Sequence, residues 1–189
     1  QMVAGWTDGR WFQSSVAVIF GERGDSVPDA FRKDREALSG RPFDTNAMKA
    51  VAPMMRDQWR ARLMLLEERL QGGKGAGSGI YLVGMKPGLV DIHAYMNVWF
   101  MYENLPDFVE KCFETADLTK AWFERLKEFE GQTPDTISSA EALEIGLNAA
   151  PRLVAATTRN EPQQFAPGEN VAVAPDDYGQ VWVKGELVH

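Results

Sequence analysis

The sequence predicts a mainly α-helical bundle followed by a small C-terminal β appendage. Three observations predict it. The stretch Tyr81–Met101, YLVGMKPGLVDIHAYMNVWFM, reads as a short extended entry, a turn, and a helix that is apolar on nearly every side. Such a helix is normally buried among other helices. Thr45–Leu70 carries Met55, Trp59, Leu63, Leu66 and Leu70 at steps of four, four, three and four, an amphipathic stripe, with charges at other positions. The C-terminal stretch changes period: Val171 and Val173, Val181 and Val183, then Leu187 alternate as half-covered strands do.

In chain order, Trp6–Phe20 reads as a first helix, capped by Thr7 or Asp8 and ended by Gly21. Pro28–Leu38 is a short helix with Pro at its first position. Gly40, Pro42 and Asp44 make a turn, and Asp44 is the N-cap of the long helix. Pro53 removes a hydrogen bond there and is expected to kink the helix or start a new one. Gln71–Gly79, QGGKGAGSG, has the look of a phosphate loop. However, Lys74 is followed by Gly75, no strand precedes it, and the required spacing is missing. An interhelical linker is the better reading.

Pro87 precedes the central helix, Gly88 is its N-cap, and Asp91 falls at N3. Its carboxylate can reach back to the amides of the first turn, where its charge also suits the helix end. Phe108–Phe113 is a short helix. Asp117 is expected to cap the next, with Leu118, Trp122, Leu126 and Phe129 inward. Ser138 and Glu141 form an intact capping box opening a helix to about Asn148. Asn160–Gly168 reads as a linker, and the turns Pro175–Gly179 and Lys184–Gly185 punctuate the strands. The expected organisation is a helical domain over 1–158 and a linker with an acidic β-rich tail over 159–189.

Composition narrows the function classes. The chain has 189 residues and a net charge of −7. Phosphate backbones need a basic face, so nucleic acid is not expected as a partner. Residues 161–189 hold five acids against one base, Lys184, a net of −4. The single cysteine, Cys112, allows no internal disulfide and fits a reducing, cytoplasmic setting. No apolar run reaches the roughly 18 residues of a membrane span, and no basic leader precedes an apolar stretch. The chain opens at Gln1 on sequence that already reads as structured, and a fragment or processed product is expected.

"YLVG-MKPGLVDIHAY" resembles the start of the central helix in the C-terminal, all-helical domain of glutathione S-transferases. That family reads aromatic-Leu-x-Gly-x-x-Pro-Ser/Thr-x-x-Asp here. The chain keeps Tyr81, Leu82, Gly84, Pro87 and Asp91, and departs at Gly88, which has no hydroxyl to complete the box. That change costs a few tenths of a kcal/mol. A second match, "LTKAWFERLKEF" over Leu118–Phe129, resembles the family's next helix. The resemblance covers about Trp6 to Phe129. It implies a fold, a glutathione S-transferase C-terminal-like helical bundle, and a role: the half that shapes a pocket for a small hydrophobic or electrophilic ligand. It also admits a homodimer.

In that family the first helix of this domain and the central helix flank the co-substrate cleft. The resemblance therefore implies Trp6, Trp11, Phe12, Trp99 and Tyr102 as substrate-pocket candidates, although core packing is the simpler reading for any one of them. Glutathione itself is held by an N-terminal thioredoxin-like domain, through a catalytic Ser, Tyr or Cys and a cis-Pro followed by an acid and Ser. No such pattern precedes Trp6, and Pro162 and Pro167 are followed by Gln and Gly. Glutathione is thus expected for the full-length protein and no cofactor for this chain, which is not expected to be catalytic alone. Helical domains of this kind also serve as non-catalytic assembly modules, and the acidic β tail makes that the alternative.

No metal site is expected. His93 lacks a ligand at i+3 or i+4, where Met96 and Asn97 stand. It lies about 200° around the helix from Asp91, too far for a dyad, and reads as a core or groove residue. Cys112 reads as a structural thiol, and the Asp176–Asp177 pair as a solvated turn.

Overall fold

The computed structural model describes residues 5–72, 80–129, 131, 135–150, 164–176 and 178–188. Over these residues the chain is mainly helical, with one two-stranded sheet. A π turn over Thr7–Trp11 leads into α1 (Phe12–Arg23). There follow α2 (Asp29–Ser39), α3 (Thr45–Leu70), α4 (Leu89–Asn104), α5 (Pro106–Phe113), α6 (Asp117–Lys127) and α7 (Ser139–Asn148), then β1 (Asn170–Val173) and β2 (Val183–Glu186). They divide into two compact units, Gln1–Asp29 with Asp44–Gln132, and Ala30–Phe43 with Thr133–His189. The expected domain boundary at 158 and most of the Gln71–Gly79 linker lie outside the described residues.

The first unit is a bundle around one core. Trp59, Leu63, Leu66 and Leu70 of α3 are buried as their spacing predicts, in one core with Val18 and Ile19 of α1 and Ala94, Val98 and Met101 of α4. Asp44 caps α3, accepting from Asn46 N at 2.9 Å and Ala47 N at 3.0 Å, and the helix continues through Pro53. Gly21 does not end α1. It lies within the helix and is buried, and a Cβ there would meet the Met48 carbonyl carbon and oxygen at 2.8 Å. The glycine is what lets the backbones of α1 and α3 approach.

Two buried carboxylates pin the bundle. Asp91 is fully enclosed and accepts three bonds: Gly88 N at 2.9 Å, Leu82 N at 2.8 Å and Trp122 Nε1 at 2.9 Å. The half of a capping box that Gly88 allows is therefore present, and the second carboxylate oxygen ties the entry loop and α6 to the start of α4. Arg69 and Arg125 hold the same loop, donating to Leu82 O at 3.2 Å and Ile80 O at 2.7 Å. Glu67 of α3 accepts from Leu118 N (3.2 Å), Thr119 N (2.7 Å) and Thr119 Oγ1 (2.8 Å). The first turn of α6 is thus capped by another helix. Asp117 lies inside that turn, and the residue at the cap position, Ala116, has no side-chain group to offer. A carboxylate at a helix N-terminus satisfies orphan amides and meets the positive end of the dipole, whichever element supplies it.

In the second unit, α7 opens on the predicted capping box. Ser138 Oγ accepts from Glu141 N at 3.2 Å, and Glu141 accepts from Ser138 N at 2.8 Å. β1 pairs antiparallel with β2 in the register Asn170↔Glu186 to Val173↔Val183. Lys184 and Gly185, expected in a turn, lie inside β2, while Gly179 turns at φ 58° and donates to Leu38 O at 2.9 Å. No described residue of this unit is buried.

Candidate functional site

The π turn and α1 run beside α4, and the five aromatic candidates lie on these two stretches. Trp11 is fully buried, 5.6 Å from Trp6 and 5.7 Å from Trp59 between ring centroids. It backs Trp6, which is half-buried. Phe12 is half-buried and stacks on Phe100 at 5.9 Å. Trp99 is half-buried against the core. Tyr102 sits at a third place: its ring lies 5.4 Å from Phe123, and its hydroxyl donates to Glu110 Oε1 at 3.1 Å. That bond, with burial second, pushes the phenol above its ordinary value. Lys120, bonded to Glu110 Oε2 at 2.8 Å, holds the Glu110 carboxyl below its own. The structure thus joins Trp6 to Trp11 and leaves Phe12 and Tyr102 in separate ring contacts.

A polar seam crosses this surface that the sequence did not single out. In the π turn, Asp8 Oδ1 comes within 3.6 Å of His93 Nδ1 on α4. One turn on, Asn97 Nδ2 donates to Thr7 O at 3.1 Å and His93 O at 3.2 Å. Asn97 Oδ1 and Trp11 Nε1, an acceptor and a donor, are both buried without a hydrogen-bond partner among the described residues. Unpaired buried polar atoms are costly and call for a reason, and π turns recur at functional sites. The available signal was Asn97 four residues after His93, which spacing places on the same face.

Cys112 is buried, and that burial raises its thiol pKa despite the neighbouring Arg60, as expected of an inert structural thiol. Among the described residues, no group of three or more His, Cys, Asp and Glu side chains could hold a metal ion. Among them too, no helix is long and apolar enough to cross a membrane.

The outer face of α4 is the other unusual feature. Leu89, Ile92 and Met96, at i, i+3 and i+7, are 72%, 46% and 50% exposed. The most apolar of the described helices is thus buried or half-buried on its remaining sides and bare along one stripe, with Val83 and Met85 of the entry loop also exposed.

Residues 36–130 match the family described as "Glutathione S-transferase, C-terminal domain". Among solved structures, the fold is similar to that of a GST-like protein from Pseudomonas syringae, with a TM-score of 0.64 and 23% sequence identity. The match covers 99% of this chain and 55% of that one, so the chain spans about half the length of that protein. No curated protein matches the sequence.

Proposed function

Since the chain belongs to the family of glutathione S-transferase C-terminal domains, we propose that it is the electrophile-pocket half of a glutathione S-transferase-like protein. A second, thioredoxin-like half would bind glutathione and activate its thiol. The thiolate sulfur would then form a bond to an electrophilic carbon of the co-substrate, displacing a leaving group or adding across an activated double bond. This chain would hold that co-substrate against Trp6, Phe12, Trp99 and Tyr102, with Trp11 fixing Trp6 from behind. By this reading the helical half is not catalytic alone.

The bare stripe of Leu89, Ile92 and Met96 carries the proposal. A helix apolar all round is stable in water only when covered, and the GST-like protein of similar fold has nearly half its length beyond this match. The test is calorimetry with glutathione on two proteins, this chain and the natural gene product including any residues upstream of Gln1. Saturable binding by the longer protein alone is the expected result. Ile92→Glu in the longer protein should weaken that binding at least fivefold by separating the halves. Equal binding by the short chain alone, or an Ile92→Glu variant with unchanged affinity, would sink the proposal.

A second reading, a non-catalytic assembly module, is favoured by one observation. Val181, Trp182 and Val183 are all exposed beside the acidic turn, Trp182 by 66%. Deleting 161–189 should then abolish capture of the partner from the source cell. A partner retained by the truncated chain rules this reading out.

A further inference from the structure

A groove lined by none of the five aromatics lies between α3 and the junction of α4 with α5. It is an open groove of about 470 Å³, walled by Arg56 and Arg60 on one side and by Asn104, Asp107, Phe108 and Lys111 on the other. Three cations around one groove stand out in a chain of net charge −7. The two arginines are one helical turn apart, and both guanidinium carbons lie over the Phe108 ring, at 4.6 and 5.3 Å from its centroid. Each is also held at one edge by an acid. Arg56 Nε donates to Glu22 Oε1 at 2.7 Å, and Arg60 Nη1 to Asp57 Oδ1 at 3.1 Å.

A guanidinium has five N–H donors in a rigid fork, so one acid at one edge leaves the others to offer. Ring and acid together fix the forks before any ligand arrives, which reduces the entropy lost on binding. Lys111 has no carboxylate partner among the described residues. The one acid that lines the groove is Asp107.

We propose that this groove binds a compact oxyanion, the carboxylate or phosphate group of a small metabolite, between Arg56, Arg60 and Lys111. The arginines supply directional, paired N–H donors, and Lys111 supplies a mobile charge that closes over the anion. Asp107 opposes the ligand and limits its affinity. The site is separate from the co-substrate cleft and stands or falls independently of the transferase reading.

The test is a titration followed by amide NMR signals, with sodium phosphate in one arm, sodium acetate in a second, and sodium chloride at matched ionic strength as the reference. Saturable shifts in residues 104–111 with phosphate or acetate, and none with chloride, are the expected result. The arm that saturates identifies the headgroup. The double variant Arg60→Gln, Lys111→Gln should bind at least tenfold more weakly, and Lys111→Gln alone serves if the double variant unfolds. Asp107→Asn should bind about two- to fivefold more tightly, as removal of one exposed like charge predicts. A purely structural arginine pair would show no such gain. The proposal is overturned if neither oxyanion saturates, if chloride gives the same shifts, or if the variants keep the original affinity.

Discussion

In the first unit Trp11, Trp59, Trp122, Phe113 and Phe123 are shut away from water. In the second, Leu143, Ile145 and Leu147 of α7 stand in solvent, Leu147 by 86%, as do Val181 and Trp182. Both units contain regular structure, so burial is not what separates a helix from a coil in this chain. The difference lies in where each helix finds partners for its terminal amides and its apolar face. α7 is held by a box closed within four residues, Ser138 to Glu141. α4 and α6 are held by carboxylates that reach across the bundle, Asp91 to Trp122 and Glu67 to Thr119. Short helices without packing are marginal in water. The second unit should therefore respond to local changes, and the first to changes that break long-range ties.

That contrast can be sharpened by substitution. The largest effect is expected from Asp91→Ala, which leaves the amides of Leu82 and Gly88 and the Trp122 indole without acceptors. It should cost about 4 kcal/mol in a guanidinium titration followed by near-ultraviolet circular dichroism. Next is Gly21→Ala. Its Cβ has no room beside the Met48 carbonyl, and separating α1 from α3 should cost about 2 kcal/mol. Gly88→Ser acts in the opposite direction. A Cβ at position 88 meets only Asp91 Oδ2, at 3.7 Å, so the serine can supply the missing half of the box and should stabilise by about 0.5 kcal/mol. Leu147→Ala should change global stability by less than about 0.5 kcal/mol. A loss above about 2 kcal/mol would mean that α7 is covered, and the contrast would fail.

The smallest expected effect is one of pH. Hydrogen bonds from the Ser138 backbone, and then from its hydroxyl, hold the Glu141 carboxyl below the usual glutamate value. A lowered pKa in the folded state means that the cap is complete above the unfolded value and is lost as pH falls through the folded one. Helical chemical shifts at residues 139–142 should therefore fade in acid. They should persist at neutral and alkaline pH.

Much of the fold was legible because its signals are local. The Asp44 cap, the Ser138–Glu141 box, the Gly88–Asp91 half-box and the stripe from Met55 to Leu70 each depend on spacings within a few turns. Gly21 reads as a helix stop in the sequence because its actual role is set by Met48, on another helix. Glu67 carried no signal, since it caps a helix about fifty residues downstream. Periodicity could show that α4 is apolar all round, but not which face its neighbours leave bare. The five pocket candidates follow from helix position alone, which carries no sign that Trp11 is enclosed or that Tyr102 turns to Glu110. Nor could it reveal the polar seam at Asp8, His93 and Asn97, which depends on the widened π turn.

The reach of Glu67 also bears on the order of events during folding. An α6 segment of eleven residues has no cap of its own, so it has little reason to persist as a helix before α3 is in place. Closing a loop of about fifty residues is slow compared with forming one helical turn. The start of α6 should therefore consolidate on the native side of the folding barrier. Glu67→Gln would accelerate unfolding and leave the folding rate nearly unchanged, the signature of a contact made late.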